Sequence, residues 1–182
     1  MRHEEEPSGT VSLGDLYRLW RGDLTANRDH GLSKVTMTCL RLRLFARAGT
    51  VIRRFVLIPI DLICWWWIAL VMGAHIPPSI EVGPRLRIPH GGRGLVIHES
   101  CRIGSDVTLY HRVTLGQRGP ELLAPVLEDG VYVGTGAILL GAIRVHEDAR
   151  IGAGAVVIKD VTAKSTYVGY PSRRPASGEL NF

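Results

Sequence analysis

Residues 126–158 read VLEDGVYVGTGAILLGAIRVHEDARIGAGAVVI. Leu127, Val133, Leu139, Val145, Ile151 and Val157 stand six apart, and the register extends upstream through Ile97, Ile103, Leu109 and Leu115. A second small or apolar set follows four places after the starters, at Cys101, Val107, Val113, Val131, Ala137, Ile143, Ala149 and Ala155. Glycine often comes directly after a starter, as in Val133-Gly134 and Ile151-Gly152. A period of six fits neither a helix, at 3.6, nor a long strand, at 2. It fits a mainly β solenoid, in which short flat faces meet at tight corners and each coil stacks on the last.

The bulk numbers fit that reading. The chain has 182 residues, 46% of them hydrophobic, and a formal net charge of +5. This gives room for one domain plus an extra element, and it excludes disorder. Arg41, Arg43, Arg47, Arg53 and Arg54 fall within fourteen residues that hold no acid. Such a cluster suits a membrane or an RNA surface. The repeat region carries no basic stripe with interleaved aromatics, so nucleic acid is not expected as a partner. Cys39, Cys64 and Cys101 are scattered, which suggests neither a disulfide framework nor a zinc site. The opening, Met1-Arg-His-Glu-Glu-Glu, is not the n-region of a signal peptide, and a cytoplasmic location is expected.

Residues 1–76 read as a helical N-terminal region. Ser12 can cap a helix over 13–26, in which Leu13, Leu16, Tyr17, Trp20 and Leu24 share one face. A second helix is expected over 34–48, its arginines outward and Gly49 ending it. Residues 55–76, FVLIPIDLICWWWIALVMGAHI, form a hydrophobic segment. Its length would span a bilayer, and basic residues precede it. Asp61 would cost about 2.5–3.5 kcal/mol at a bilayer centre, and Pro59 breaks a helix early. Packing on the open end of the solenoid, or shallow association with the inner face of the membrane, is therefore preferred to spanning. Ile76-Pro77-Pro78 ends the helix. The solenoid domain is expected over 77–170, starting at Ile80 or Val82, followed by a tail over 171–182. Leu115 to Leu127 covers two repeats with irregular contents, so a loop is expected to leave the coil there.

The repeat is broken once. Ile88 to Ile97 is nine residues, three too many, and the surplus lies in Pro89-His90-Gly91-Gly92-Arg93-Gly94. With three repeats to a coil, the starters at 88 and 109 share a face. His90 and His111 each lie two residues beyond these, so they should stand on adjacent coils about 4.8 Å apart. A histidine there can take a proton from an alcohol that attacks an acyl group. His90 is the general-base candidate and His111 its neighbour. His98 and His146 follow starters without an excursion and read as structural or solvated; His3 and His30 read as surface residues. Arg173 and Arg174, past a Gly-x-Pro turn, suit a phosphate.

The stretch from Ile76 to Arg174 resembles the left-handed β-helix acyltransferases, in their serine acetyltransferase-like branch. The pieces that carry the resemblance are Ile88-Pro-His90-Gly-Gly, Val113-Thr-Leu-Gly116, Val133-Gly-Thr-Gly136-Ala-Ile-Leu-Leu-Gly141, Ile151-Gly-Ala-Gly154 and Val168-Gly-Tyr-Pro171. Cys39 to Gly49 also looks like the last helical part of that family's N-terminal region. The resemblance implies a left-handed parallel β-helix of hexapeptide repeats and an acetyl-CoA-dependent O-acetyltransferase. It further implies a homotrimer with sites between neighbouring solenoids, and no permanently bound cofactor. His90 falls on the family's catalytic histidine. Gly116, Gly134, Gly136, Ala137, Gly152, Gly154 and Ala155 fall on coils that line the CoA groove, and Arg173 and Arg174 fall near the CoA phosphate.

The chain departs from serine acetyltransferases at three places. Pro89 stands where an aspartate precedes the catalytic histidine, and His75 stands where the orienting carboxylate lies. Leu123-Ala124 replaces an Arg-His ahead of Pro125. Tyr110-His111-Arg112-Val113-Thr114 and Gly116-Gln117-Arg118-Gly119 look like segments of the colanic acid acetyltransferase type. The expected acceptor is thus a sugar of an exopolysaccharide precursor. Serine is the alternative, with Arg118 a substitute cation, and a non-catalytic scaffold is a third reading of another class.

Overall fold

The computed structural model describes residues 12–48, 50–119 and 123–169. Three helices come first: α1 (Leu13–Ala26), α2 (Gly31–Arg47) and α3 (Val51–Trp66), the last running into a π-helical turn at Trp67–Val71. Ser12 caps α1 through a reciprocal box with Asp15.

From Glu81 onward the chain winds as a three-faced parallel β-helix. The first face stacks β1 (Glu81–Val82), β3 (Arg102–Ile103), β6 (Val126–Leu127) and β9 (Arg144–Val145). The second stacks β2 (Val96–Ile97), β5 (Thr114–Gly116), β8 (Ile138–Leu140) and β11 (Val156–Val157). The third stacks β4 (Thr108–Leu109), β7 (Tyr132–Val133), β10 (Arg150–Ile151) and β12 (Thr166–Tyr167). The six-residue starters pair with one another in register, Ile97 with Leu115, Leu115 with Leu139, and Leu139 with Val157. Each points inward and is at most 4% exposed. Small residues of the second set close the interior, and each large aliphatic side chain buried there contributes about 1.5–3 kcal/mol.

The spacing needs amendment at one place. Leu115 and Leu127 lie on successive faces although twelve positions apart, so the segment holds six residues more than one repeat. After Val157 the winding continues within the domain expected over 77–170: Val161 bridges Val145 on the first face, and β12 adds a further strand to the third.

The helical region differs more from expectation. α2 starts at Gly31 and carries two of its arginines inward. Arg41 and Arg43 are buried, because each has an acid and carbonyls waiting. The Arg41 guanidinium donates to Asp23 from Nε at 2.6 Å and from Nη2 at 3.2 Å. It also donates to the carbonyls of Val82 and Gly83. Arg43 donates to Asp61 at 2.9 Å. The hydrophobic segment is not one helix to Ile76. α3 begins earlier, Pro59 sits inside it without ending it, and the helix stops where Gly73 turns to φ +59°. His75 then bridges Val96, which occupies the exposed edge of the second face. Among the described residues no helix is long and apolar enough to cross a membrane.

Candidate active site

The surplus residues between Ile88 and Ile97 form a 3-10 turn, Pro89–Gly92, at the corner between the third and second faces. His90, Gly91 and Gly92 all take positive φ, at 61°, 75° and 74°. Three left-handed residues in a row cost energy at His90, so something must hold them. The holders are in the helices. Asn27 accepts from the Ile88 N–H at 3.0 Å and donates to the Leu86 carbonyl at 2.8 Å. Asp23 accepts from the Leu86 N–H at 3.1 Å. Ser33 donates to the Ile88 carbonyl at 2.7 Å and accepts from the Gly91 N–H at 3.1 Å. A Cβ on Gly91 would come within 2.9 Å of the Met72 sulfur. Burial raises the Asp23 carboxyl, opposed by the Arg41 guanidinium and the Leu86 N–H.

This scaffold sets the two histidines together. Arg87 bridges Thr108, so Ile88 and Leu109 share a face. The His90 and His111 rings meet edge to face, their centroids 5.2 Å apart. His90 is exposed; His111 is half-buried, and its Nδ1 is buried with no hydrogen-bond partner among the described residues. Tyr110 and His30 flank His90, at 6.4 and 5.9 Å between centroids. His30, at the N-cap of α2, thus belongs to the site's wall and not to open surface. A cavity of about 500 Å³ is lined by Leu32, His90, Arg93, His111 and Arg112. None of its lining residues is acidic, and the Arg93 and Arg112 guanidinium groups have no acid partner among the described residues.

The same corner continues up the axis as glycine. The Gly136 N–H donates to the His111 carbonyl at 3.1 Å, and the Gly154 N–H to the Thr135 carbonyl at 2.8 Å. Gly136 and Gly154 sit at φ +68°, and among the described residues nothing lies within 4 Å of where a Cβ would go. Gly134 has another reason: a Cβ there would stand 2.7 Å from the Ala153 nitrogen of the next coil. Ala137 and Ala155 are 0% exposed, their methyls are inside the coil, and their N–H and C=O groups are already bonded. Gly152 lies on the same corner, against Val168. Arg173 and Arg174 lie outside the described residues, as does the tail expected over 171–182.

Gly116 is elsewhere. It ends β5 at the far edge of the second face and lines a separate groove of about 610 Å³ with Arg43, Trp65, His75, His98 and Gln117. There His98 shares a hydrogen bond with Ser100 at 2.9 Å. His146 pairs with Glu128 at 3.2 Å, away from either cavity. The thiols offer no nucleophile: burial pushes Cys64 and Cys101 up to about 12.

No family model matches the chain. Among characterised proteins it is similar to the serine acetyltransferase of Bacillus licheniformis, 47% identical over 103 residues, which are 56% of this chain and 47% of that protein. The chain therefore spans about half the length of the curated relatives it matches. Soybean serine acetyltransferase, solved in complex with serine, matches at 30% identity with a TM-score of 0.69, over 87% of this chain and 68% of that one. The Neisseria gonorrhoeae serine acetyltransferase, also in complex with serine, matches at 27% identity with a TM-score of 0.71, over 88% and 69%. These findings overturn the sugar acceptor expected from the sequence. The segments that suggested it, 110–114 and 116–119, supply a corner, a strand and a loop of the coil, and the relatives they sit among are serine acetyltransferases.

Proposed function

The chain belongs to the serine acetyltransferase-like family, and from that premise we propose that it transfers the acetyl group of acetyl-CoA to the hydroxyl of serine. The observation that carries the reading is the corner itself, where two histidines in contact lead directly into a glycine column. His90 takes the proton of the hydroxyl as its oxygen forms a bond to the acetyl carbon. The tetrahedral intermediate collapses, the carbon–sulfur bond breaks, and the imidazolium returns its proton to the departing thiolate. His111 packs its ring edge to face with His90 and limits how far that ring can swing.

Arg93 and Arg112, which line the cavity beside His90 and His111, hold the serine carboxylate, which needs a cation; Leu123 and Ala124, directly ahead of Pro125, offer none. This assigns the role to residues that sequence reading passed over in favour of Arg118. Gly136 and Gly154 leave the corner open for the pantetheine arm, where a side chain would stand in its way. Arg173 and Arg174 serve the CoA phosphate. Gly116, on the other edge of the second face, acts at a neighbour's histidines in a homotrimer, its amide meeting the thioester oxyanion there.

Thiol release from acetyl-CoA, followed on adding L-serine, tests the reaction. The expected result is serine-dependent release with O-acetylserine as product; release that ignores serine would contradict it. Serine methyl ester tests the carboxylate role. The ester should be a poorer substrate for the wild type, and Arg112→Ala should raise the KM for serine and narrow the gap between the two. An unchanged gap would remove Arg112 from the site.

A further inference from the structure

α3 turns its back on the rest of the molecule. Cys64, Ile68 and Met72 form the stripe that packs inward. The opposite side presents Phe55, Val56, Leu62, Ile63, Trp66 and Leu70, with Phe55 69% and Ile63 66% exposed. Between Phe55 and Val71 the sequence has one charged residue, Asp61, and its carboxylate is occupied by Arg43. From Phe55 through the turn that ends at Val71, the outward face is thus uncharged. Scattered apolar residues on a surface need no explanation, but a contiguous face of this kind marks a contact surface.

We propose that this face lies in the plane of an anionic lipid bilayer, with the β-helix held beside the membrane and not within it. The proposal is independent of the reaction described above. Three observations select this occupant. The helix is too short and too interrupted to span: it passes into a π-helical turn and ends at Gly73. An amphipathic helix of this length instead buries one face at the headgroup boundary. Trp66 is half exposed on that face, where an indole sits well at headgroup level. The third observation is charge. Between Lys34 and Ile80 the only acid is the already paired Asp61, while Arg53-Arg54 directly precedes the apolar run. A second copy docking here would meet cationic flanks with cationic flanks and no acid to answer them. Anionic headgroups complement them.

Co-sedimentation of the full chain with lipid vesicles tests this. One set contains phosphatidylcholine with phosphatidylglycerol, the other phosphatidylcholine alone. The double variant Ile63→Gln, Trp66→Gln removes two outward groups that touch neither cavity of the catalytic corner, and its fold is checked by circular dichroism and thiol release. The wild type should pellet with the anionic vesicles, less so at high salt, and the double variant should partition at least about tenfold more weakly. Wild type left in the supernatant with both vesicle types overturns the proposal, as does a double variant that binds equally well. A double variant of lower molar mass by light scattering, with a wild type that ignores vesicles, also overturns it and assigns the face to a second copy.

Discussion

The coils and the helices solve burial in opposite ways. In the β-helix every starter is apolar and inside, and the ion pairs, such as Arg85 with Asp106 and Arg144 with Glu128, are on the surface. In the helical region a charged pair is inside, with Asp23 at 0% and Arg41 at 3% exposure, and much of the apolar surface is outside. A repeat needs only one rule per coil, so an apolar interior is enough to define it. The helices must instead dock on one particular coil in one orientation, and hydrogen bonds to its carbonyls and amides do that. The polar network from Asp23, Asn27, Ser33 and Arg41 reaches residues 82–91, where His90 is held.

The contrast can be broken most sharply at the buried pair. Arg41→Met strands the Asp23 carboxylate and should cost about 3–5 kcal/mol in urea unfolding. Adding Asp23→Leu should restore part of the loss, short of the wild type because the Leu86 N–H then lacks its acceptor. If the single variant is as stable as the wild type, the helices are not docked by this pair. A smaller effect is expected at Ser33→Ala, which deletes both bonds to the His90 turn. It should cost about 1–3 kcal/mol of stability and lower kcat more than it raises KM. Loss of stability with unchanged kcat would mean that the turn holds its shape without Ser33.

The smallest effect belongs to the surface pairs of the coils. Hydrogen bonding to the Arg85 guanidinium holds Asp106 below the ordinary carboxylate range, and hydrogen bonding to Arg144 does the same for Glu128. A carboxylate depressed in the folded state adds stability above its unfolded pKa, about 4, and loses it as pH falls through the folded value. The contribution of these two pairs to the melting temperature should therefore be flat above that range and decline below it. Replacing Asp106 and Glu128 by Asn and Gln should flatten the decline only slightly, since both pairs are solvated.

The coil was readable because its rule is local and repeated. The six-residue starters from Ile97 to Val157 all point inward, and face counting brought His90 to His111. The docking network was not readable, because its partners are distant in sequence: Asn27 meets Leu86 and Ser33 meets Ile88 across more than fifty residues. Composition made Arg41 and Arg43 look like a surface patch, since nothing in their neighbourhood shows that Asp23 and Asp61 wait for them. Arg93 and Arg112 were in plain view beside the two histidines. The signal that would have found them was their adjacency to His90 and His111 at the same corner, once the faces had been counted.

The central claim is that the histidine corner carries out acetyl transfer. The most direct measurement is thiol release from acetyl-CoA with saturating serine, wild type against His90→Ala, with circular dichroism verifying the fold. A general base lost from its place should lower kcat by about 10²–10⁴-fold while the fold persists. A folded His90→Ala variant that turns over at the wild-type rate would contradict the account.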